Sequence, residues 1–364
     1  MALGMGQEVV NREMSTCSHG GIYSVDHRLV RVDCSSSINP LGTPRPAIRA
    51  IRQGAGAIAT RYPDPECTEL RKSLARYLKV DPSTIAVGNG AVEIIYWFAR
   101  AFAKKRVAIP VPTFCEYELS SQKAGAAITY SPLREYELDA DSVIEDARGA
   151  DALYLCNPNN PTGTLGTREI KKIVENVDGQ TKILLDECFI ELVDEPDRNS
   201  LVDRIGEFKN LIILRSLTKS FGLAGLRVGY SVCSPSLAKL LSAEKIPWHV
   251  NGLAQAAGIA ALADPDHLSK ARALIKKERA FLLDKVRRMN NYVPFRSDSN
   301  FFMVRLRSGN SSRFRDALLR KTGVLVRDCS TFRGMDAQHV RIAVKTRREN
   351  LLVIRALEAF DRDG

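Results

Sequence analysis

LRSLTKSFGLAGLRVGY, residues 214–230, is the stretch whose reading decides the fold. The apolar run Leu211-Ile212-Ile213-Leu214 leads into Arg215-Ser216-Leu217-Thr218-Lys219, and a glycine-rich segment ends at Arg227. A lysine flanked by hydroxyls directly after a strand is a side chain held at a strand end, where α/β folds place reactive groups. A lysine there can act as a nucleophile, forming a Schiff base with a carbonyl cofactor. Arg227 and Ser216 add forked donors and a hydroxyl suited to phosphate. The alternative is a lysine on a solvated loop, and the coincidence of hydroxyls, glycines and an arginine weighs against it.

Outward from that stretch, short apolar strands alternate with amphipathic helices. Strands are expected at 84–87, 106–110, 126–130, 152–156, 182–185 and 211–214, and helices at 45–58, 66–77, 92–103, 115–124, 139–147, 167–177 and 200–206. Leu70, Leu74 and Leu78 recur at helical spacing in one of these. Buried strands alternating with helices imply an α/β fold with a largely parallel sheet covered on both faces. From about Asp264 the pattern changes to a long helix (265–289), strands at 300–306, 324–327 and 340–344, and helices at 311–322 and 346–360. That reads as a smaller α+β domain. The expected division is a leader at 1–16, an N-terminal arm at 17–44, a large domain at 45–263 and a small domain at 264–364.

Composition narrows the class. The chain has 364 residues, 45% of them hydrophobic and 26% charged, as in soluble globular proteins. Its formal net charge of +11 is scattered, with no basic run interleaved with aromatics, so nucleic acid is not indicated. Anionic small substrates or a solvated surface account for the sign equally well. The eight cysteines include no C-x-x-C pair, so no metal site is expected and free thiols in the cytoplasm are the default. No apolar run of eighteen residues marks a membrane span, and the first residues lack the form of a secretory signal.

Two more strand ends carry chemistry. Cys156-Asn157-Pro158-Asn159-Asn160-Pro161-Thr162-Gly163 is a turn that fixes its asparagine amides, and Leu184-Leu185-Asp186-Glu187 ends a strand on a carboxylate. A lone acid there could merely cap the following helix, a reading the third strand end at Lys219 weighs against. Asn160, Asp186 and Lys219 together match what a pyridoxal ring needs: an amide for the ring hydroxyl, a carboxylate for the ring nitrogen and a lysine for the aldehyde. Gly88-Asn89-Gly90 opens a helix after another strand, where amides favour phosphate.

These blocks, with Val340-Arg341-Ile342-Ala343-Val344, resemble the fold-type I pyridoxal-phosphate-dependent transferases, in particular the histidinol-phosphate aminotransferase branch, from about His19 to the end. The resemblance implies pyridoxal 5'-phosphate as cofactor, Lys219 as its Schiff-base lysine, Asp186 on the ring nitrogen and Asn160 on the ring hydroxyl. Ser216, Arg227 and the amides of Gly88, Asn89 and Gly90 would hold the phosphate, and Phe114 would stack on the ring. Tyr62 falls where a neighbouring subunit reaches the cofactor phosphate, which implies a homodimer.

One position departs from that branch. Three residues after the aspartate, where a tyrosine commonly gives a second donor to the ring hydroxyl, stands Phe189. The departure fits another group of the family, which the chain also resembles at His19-Gly20-Gly21, 37–42, 61–64, 246–251, 327–330 and 332–334: the L-threonine-O-3-phosphate decarboxylases of cobalamin biosynthesis. There His19, Gly20, Ser37, Asn160, Arg327 and Arg341 would surround a phosphorylated amino acid, and some members have asparagine at the position of Ser37. A histidine near an N-terminus is more often incidental than a ligand; the Gly20-Gly21 that follows and the family resemblance bring the two readings level for His19. The expected reaction is decarboxylation to (R)-1-aminopropan-2-yl phosphate, the linker of the cobalamin nucleotide loop. The alternatives are transamination of histidinol phosphate and a non-catalytic binding protein, which would not need Lys219, Asp186, Asn160 and Arg227 together.

Overall fold

The computed structural model describes residues 18–362; the expected leader at 1–16 lies outside them. In chain order the strands are β1 (Val32–Asp33), β2 (Ile85–Gly88), β3 (Arg106–Val111), β4 (Ala127–Pro132), β5 (Ala152–Cys156), β6 (Lys182–Asp186), β7 (Leu211–Ser216), β8 (Gly229–Cys233), β9 (Tyr292–Pro294), β10 (Phe301–Leu306), β11 (Val324–Leu325), β12 (Arg327–Asp328) and β13 (His339–Ala343). The first four α-helices are α1 (Arg45–Ala59), α2 (Thr68–Leu78), α3 (Ala91–Phe102) and α4 (Glu116–Lys123).

Strands β2 to β8 build one sheet in the order β2-β8-β7-β6-β5-β3-β4. Every pair is parallel except those of β8, which runs antiparallel to β2 and β7. Period-two alternation sends Leu153, Leu155, Ile183, Leu185 and Ile213 into the core on one face. Tyr154, Leu184, Ile212 and Leu214 enter the core on the other. Burial on both faces is why these strands read as continuous apolar runs. Strand β8 was not anticipated. Its glycine and serine blur the apolar signal, although all five residues are buried.

The C-terminal part holds the sheet β12-β13-β10-β9, all antiparallel, against the helices His267–Arg287, Ser311–Thr322 and Arg347–Arg362. Asn310 caps the second of these by accepting from the Ser312 and Arg313 amides, and Gly323 ends it at φ +78°. The single strand expected at 324–327 is two. β11 pairs in parallel with β1 of the N-terminal arm, and β12 pairs with β13, so the chain changes sheets at Val326. Six cysteines (34, 67, 156, 188, 233 and 329) are free thiols, whereas Cys115 is disulfide-bonded, against the expectation of thiols throughout. No helix among the described residues is long and apolar enough to cross a membrane.

Candidate active site

Parallel strands leave their C-terminal ends at one edge of a sheet, and side chains placed there face a common crevice. Register puts Cys156 of β5 beside Asp186 of β6, and Asp186 beside Leu214 of β7. Two residues past Leu214, Ser216 ends β7 and caps the short helix Leu217–Ser220 that carries Lys219. A cleft opens over these strand ends. It is lined by His19, Gly20, Ser37, Phe114, Asn160, Asp186, Ser216, Lys219, Arg227, Arg327 and Arg341, all expected from sequence.

Lys219 lies among cations in a desolvated place. Burial, then Arg341 and Arg227, lowers its pKa to about 8. Its backbone carbonyl accepts from the Asn39 amide at 3.0 Å, which ties the N-terminal arm to the lysine. The Nζ sits 5.7 Å from the centroid of Phe189, which is buried edge-on against Phe301. That wall of the cleft has a phenyl face and no hydroxyl.

Asp186 accepts from the Cys188 amide at 2.8 Å and from the Tyr117 hydroxyl at 2.7 Å. Burial raises its pKa. Tyr117 stacks on Tyr154 and meets Phe114 edge-on. Asn160 turns its carbonyl oxygen to the Arg341 guanidinium, so its NH2 is the group left to donate to a ligand.

A second cluster of cations lies toward the arm. Arg341 also donates to the Ser35 carbonyl at 2.8 Å, and its Nε is buried without a partner. Arg327 donates to Ser18 through the hydroxyl and the carbonyl, and to Thr331. Desolvation lowers the pKa of both arginines, Arg341 to about 10. The Ser37 hydroxyl is buried in the cleft wall without a partner. Buried polar groups are nearly always satisfied, so orphans facing a cleft point to a polar ligand.

Residues 32–357 match the aminotransferase class I and II family. The chain belongs to that family. It is 36% identical to a relative from Caldanaerobacter subterraneus provisionally named a threonine-phosphate decarboxylase, over 97% of this chain and 96% of the relative. The histidinol-phosphate aminotransferase of Clostridium acetobutylicum superposes with a TM-score of 0.86 at 31% identity, covering 92% of this chain and all of the other. The L-threonine-O-3-phosphate decarboxylase of Porphyromonas gingivalis superposes at 0.81 and 28% identity, covering 90% and 99%.

Like the rest of the aminotransferase class I and II family, this chain is a pyridoxal-phosphate-dependent enzyme. The cleft fits that cofactor. Thr218 Oγ1 is buried with no partner beside Ser216 and Arg227. A Cβ at Gly90 would lie 2.5 Å from Arg227 Nη2, so only glycine lets the guanidinium close over the start of α3. The expected amides need a shift along the chain. Asn89 N–H donates to Glu93 and Gly90 N–H to Gly88, whereas Ala91 and Val92, in the first turn of α3, line the cleft. The sequence marks Thr218 only as a hydroxyl next to the lysine, and gives Tyr117, Ala91 and Val92 no role.

Tyr62 is not brought to this cleft. It is 81% exposed and stacks on Trp248, ring centroids 4.7 Å apart.

Proposed function

We propose that the protein decarboxylates L-threonine O-3-phosphate to (R)-1-aminopropan-2-yl phosphate for cobalamin assembly, as a cytoplasmic homodimer. Phe189 carries the reading: this residue, beside Lys219 in the cleft wall, cannot donate a hydrogen bond. The same family's aminotransferases commonly have a tyrosine there, and losing its donor changes the proton balance around the ring.

Bound pyridoxal phosphate supplies an electron sink for the pair left when a bond at the substrate α-carbon breaks. Asp186 would neutralise the ring nitrogen and Asn160 would donate to the ring hydroxyl. Thr218, Ser216, Arg227 and the Ala91 and Val92 amides would hold the phosphate. Arg327 and Arg341 grip the two substrate anions with planar forks, which suits phosphate and carboxylate alike. Anchoring the phosphate at the arm would fix the substrate's rotation and so favour breaking the α-carbon bond to the carboxylate over the bond to hydrogen. Lys219, with a pKa near 8, can then deliver from Nζ the proton that takes the place of carbon dioxide. In the dimer, the exposed Tyr62 of each subunit would reach the other's cofactor phosphate.

Purified protein loaded with pyridoxal phosphate tests the reading in two tubes. O-phospho-L-threonine should release carbon dioxide with no keto acid present. Glutamate formed from histidinol phosphate and 2-oxoglutarate, with no carbon dioxide in the first tube, would overturn it. Transamination is the second reading because the Clostridium acetobutylicum aminotransferase is as similar in fold.

A further inference from the structure

We propose that Glu116 is a positioning residue for a phosphomonoester: it fixes the His19 ring at the cleft rim so that His19 joins Arg327 in gripping the substrate phosphate. The inference rests on the reading that the arm faces that phosphate.

Glu116 is the first residue of α4 and is only 7% exposed. A carboxylate that deep needs partners for both oxygens. Oε1 meets His19 Nε2 at 2.8 Å, and Oε2 accepts from the Tyr96 hydroxyl at 2.8 Å. Tyr96 is fixed on α3, with the Lys123 ammonium 5.2 Å above its ring. Of the two partners, His19 alone lines the cleft. Phe114 touches the same imidazole, ring centroids 5.9 Å apart, so the ring is held by a ring contact as well as through its nitrogen.

The neighbouring residue, Ser18, holds the Arg327 guanidinium through two oxygens. Adjacent arm residues thus set an imidazole and a guanidinium on one rim. The groups facing Glu116 are His19, Tyr96 and Lys123, and its pKa is held below the usual carboxylate range, first by the His19 hydrogen bond. A carboxylate serving only the dipole of α4 would face backbone amides. This one is spent on side chains. Glu116 is not among the residues lining the cleft, its oxygens being turned to the imidazole and the phenol.

The test is a double-mutant cycle on pyridoxal-phosphate-loaded enzyme, with inorganic phosphate titrated calorimetrically. His19→Gln and Glu116→Gln should each weaken phosphate binding about tenfold, the scale of one charge-assisted hydrogen bond. The double variant should bind no more weakly than His19→Gln alone. With O-phospho-L-threonine the loss should appear mainly in KM, because Arg327 still anchors the phosphate. Tyr96→Phe, which leaves the carboxylate on His19, should stay within about twofold of wild type. Phosphate binding unchanged in Glu116→Gln, or a full second tenfold loss in the His19→Gln background, overturns the assignment. Should Glu116→Gln fail to load cofactor, Glu116→Asp takes its place in the same cycle. Carbon dioxide release is scored separately, so an enzyme that couples Glu116 to phosphate without decarboxylating refutes the reaction alone.

Discussion

At Lys219 one amine is acted on by burial and by two arginines, all in the same direction, and the result is a pKa near 8. A depressed amine is neutral, hence nucleophilic, above that value. Apoprotein should therefore take up pyridoxal phosphate faster as pH rises through about 8 and level off beyond it, followed by visible absorbance. Arg341→Met removes one of the two cations and should move the inflection upward; an unmoved inflection would contradict the electrostatic account. Lys219→Ala should lose the absorbance band of bound cofactor altogether. Phe189→Tyr restores a donor beside Lys219. It should raise keto-acid-dependent transamination at least about tenfold relative to carbon dioxide release, since one donor felt only in the transition state is worth that much. Residues carrying distinctive chemistry (Lys219, Asp186, Asn160 and Arg227) were legible because few structural needs explain them together. Tyr117 was not, since a tyrosine two residues into a helix announces nothing about the carboxylate it meets 69 positions along the chain.

Among the elements, the join between β8 and α3 sets the phosphate end of the cleft. A Cβ at Gly229 would fall 2.3 Å from the Ala91 amide nitrogen, so β8 approaches the start of α3 as closely as a backbone allows. Gly229→Ala must push the two apart. Overpacking of that kind costs about 2 kcal/mol, visible in the melting temperature, and cofactor affinity should fall further than that of a Gly206→Ala control, where a Cβ meets nothing. The parallel strands declared themselves through unbroken apolar runs. β8 escaped because glycine and serine in a central strand satisfy close packing, which a hydrophobicity pattern does not record. The break at Val326 escaped because a change of sheet leaves the apolar run uninterrupted.

For the whole molecule, Tyr62, Trp248 and Ile246 are large apolar side chains left exposed, and we expect a second copy of the chain to cover them. Tyr62→Ala should lower cofactor affinity although its own cleft is intact. Mixing Tyr62→Ala with Lys219→Ala protein should give more activity than the two separately, because one hybrid site regains both residues. Equal activity before and after mixing would argue against a shared site. The arm supplies another consequence at this scale. β1 fixes the middle of the arm on β11, but the arm's first residues hold their place through groups that the cleft also uses: Arg327 against Ser18 and Glu116 against His19. An anion held by both Arg327 and His19 adds contacts between the cleft and the arm. Occupancy of the cleft and the docking of the arm are therefore two sides of one equilibrium, and by linkage each must alter the other. Digestion by a protease that cuts after arginine, at Arg28 or Arg31, becomes a gauge of what the cleft contains, with no chemical turnover needed to read it.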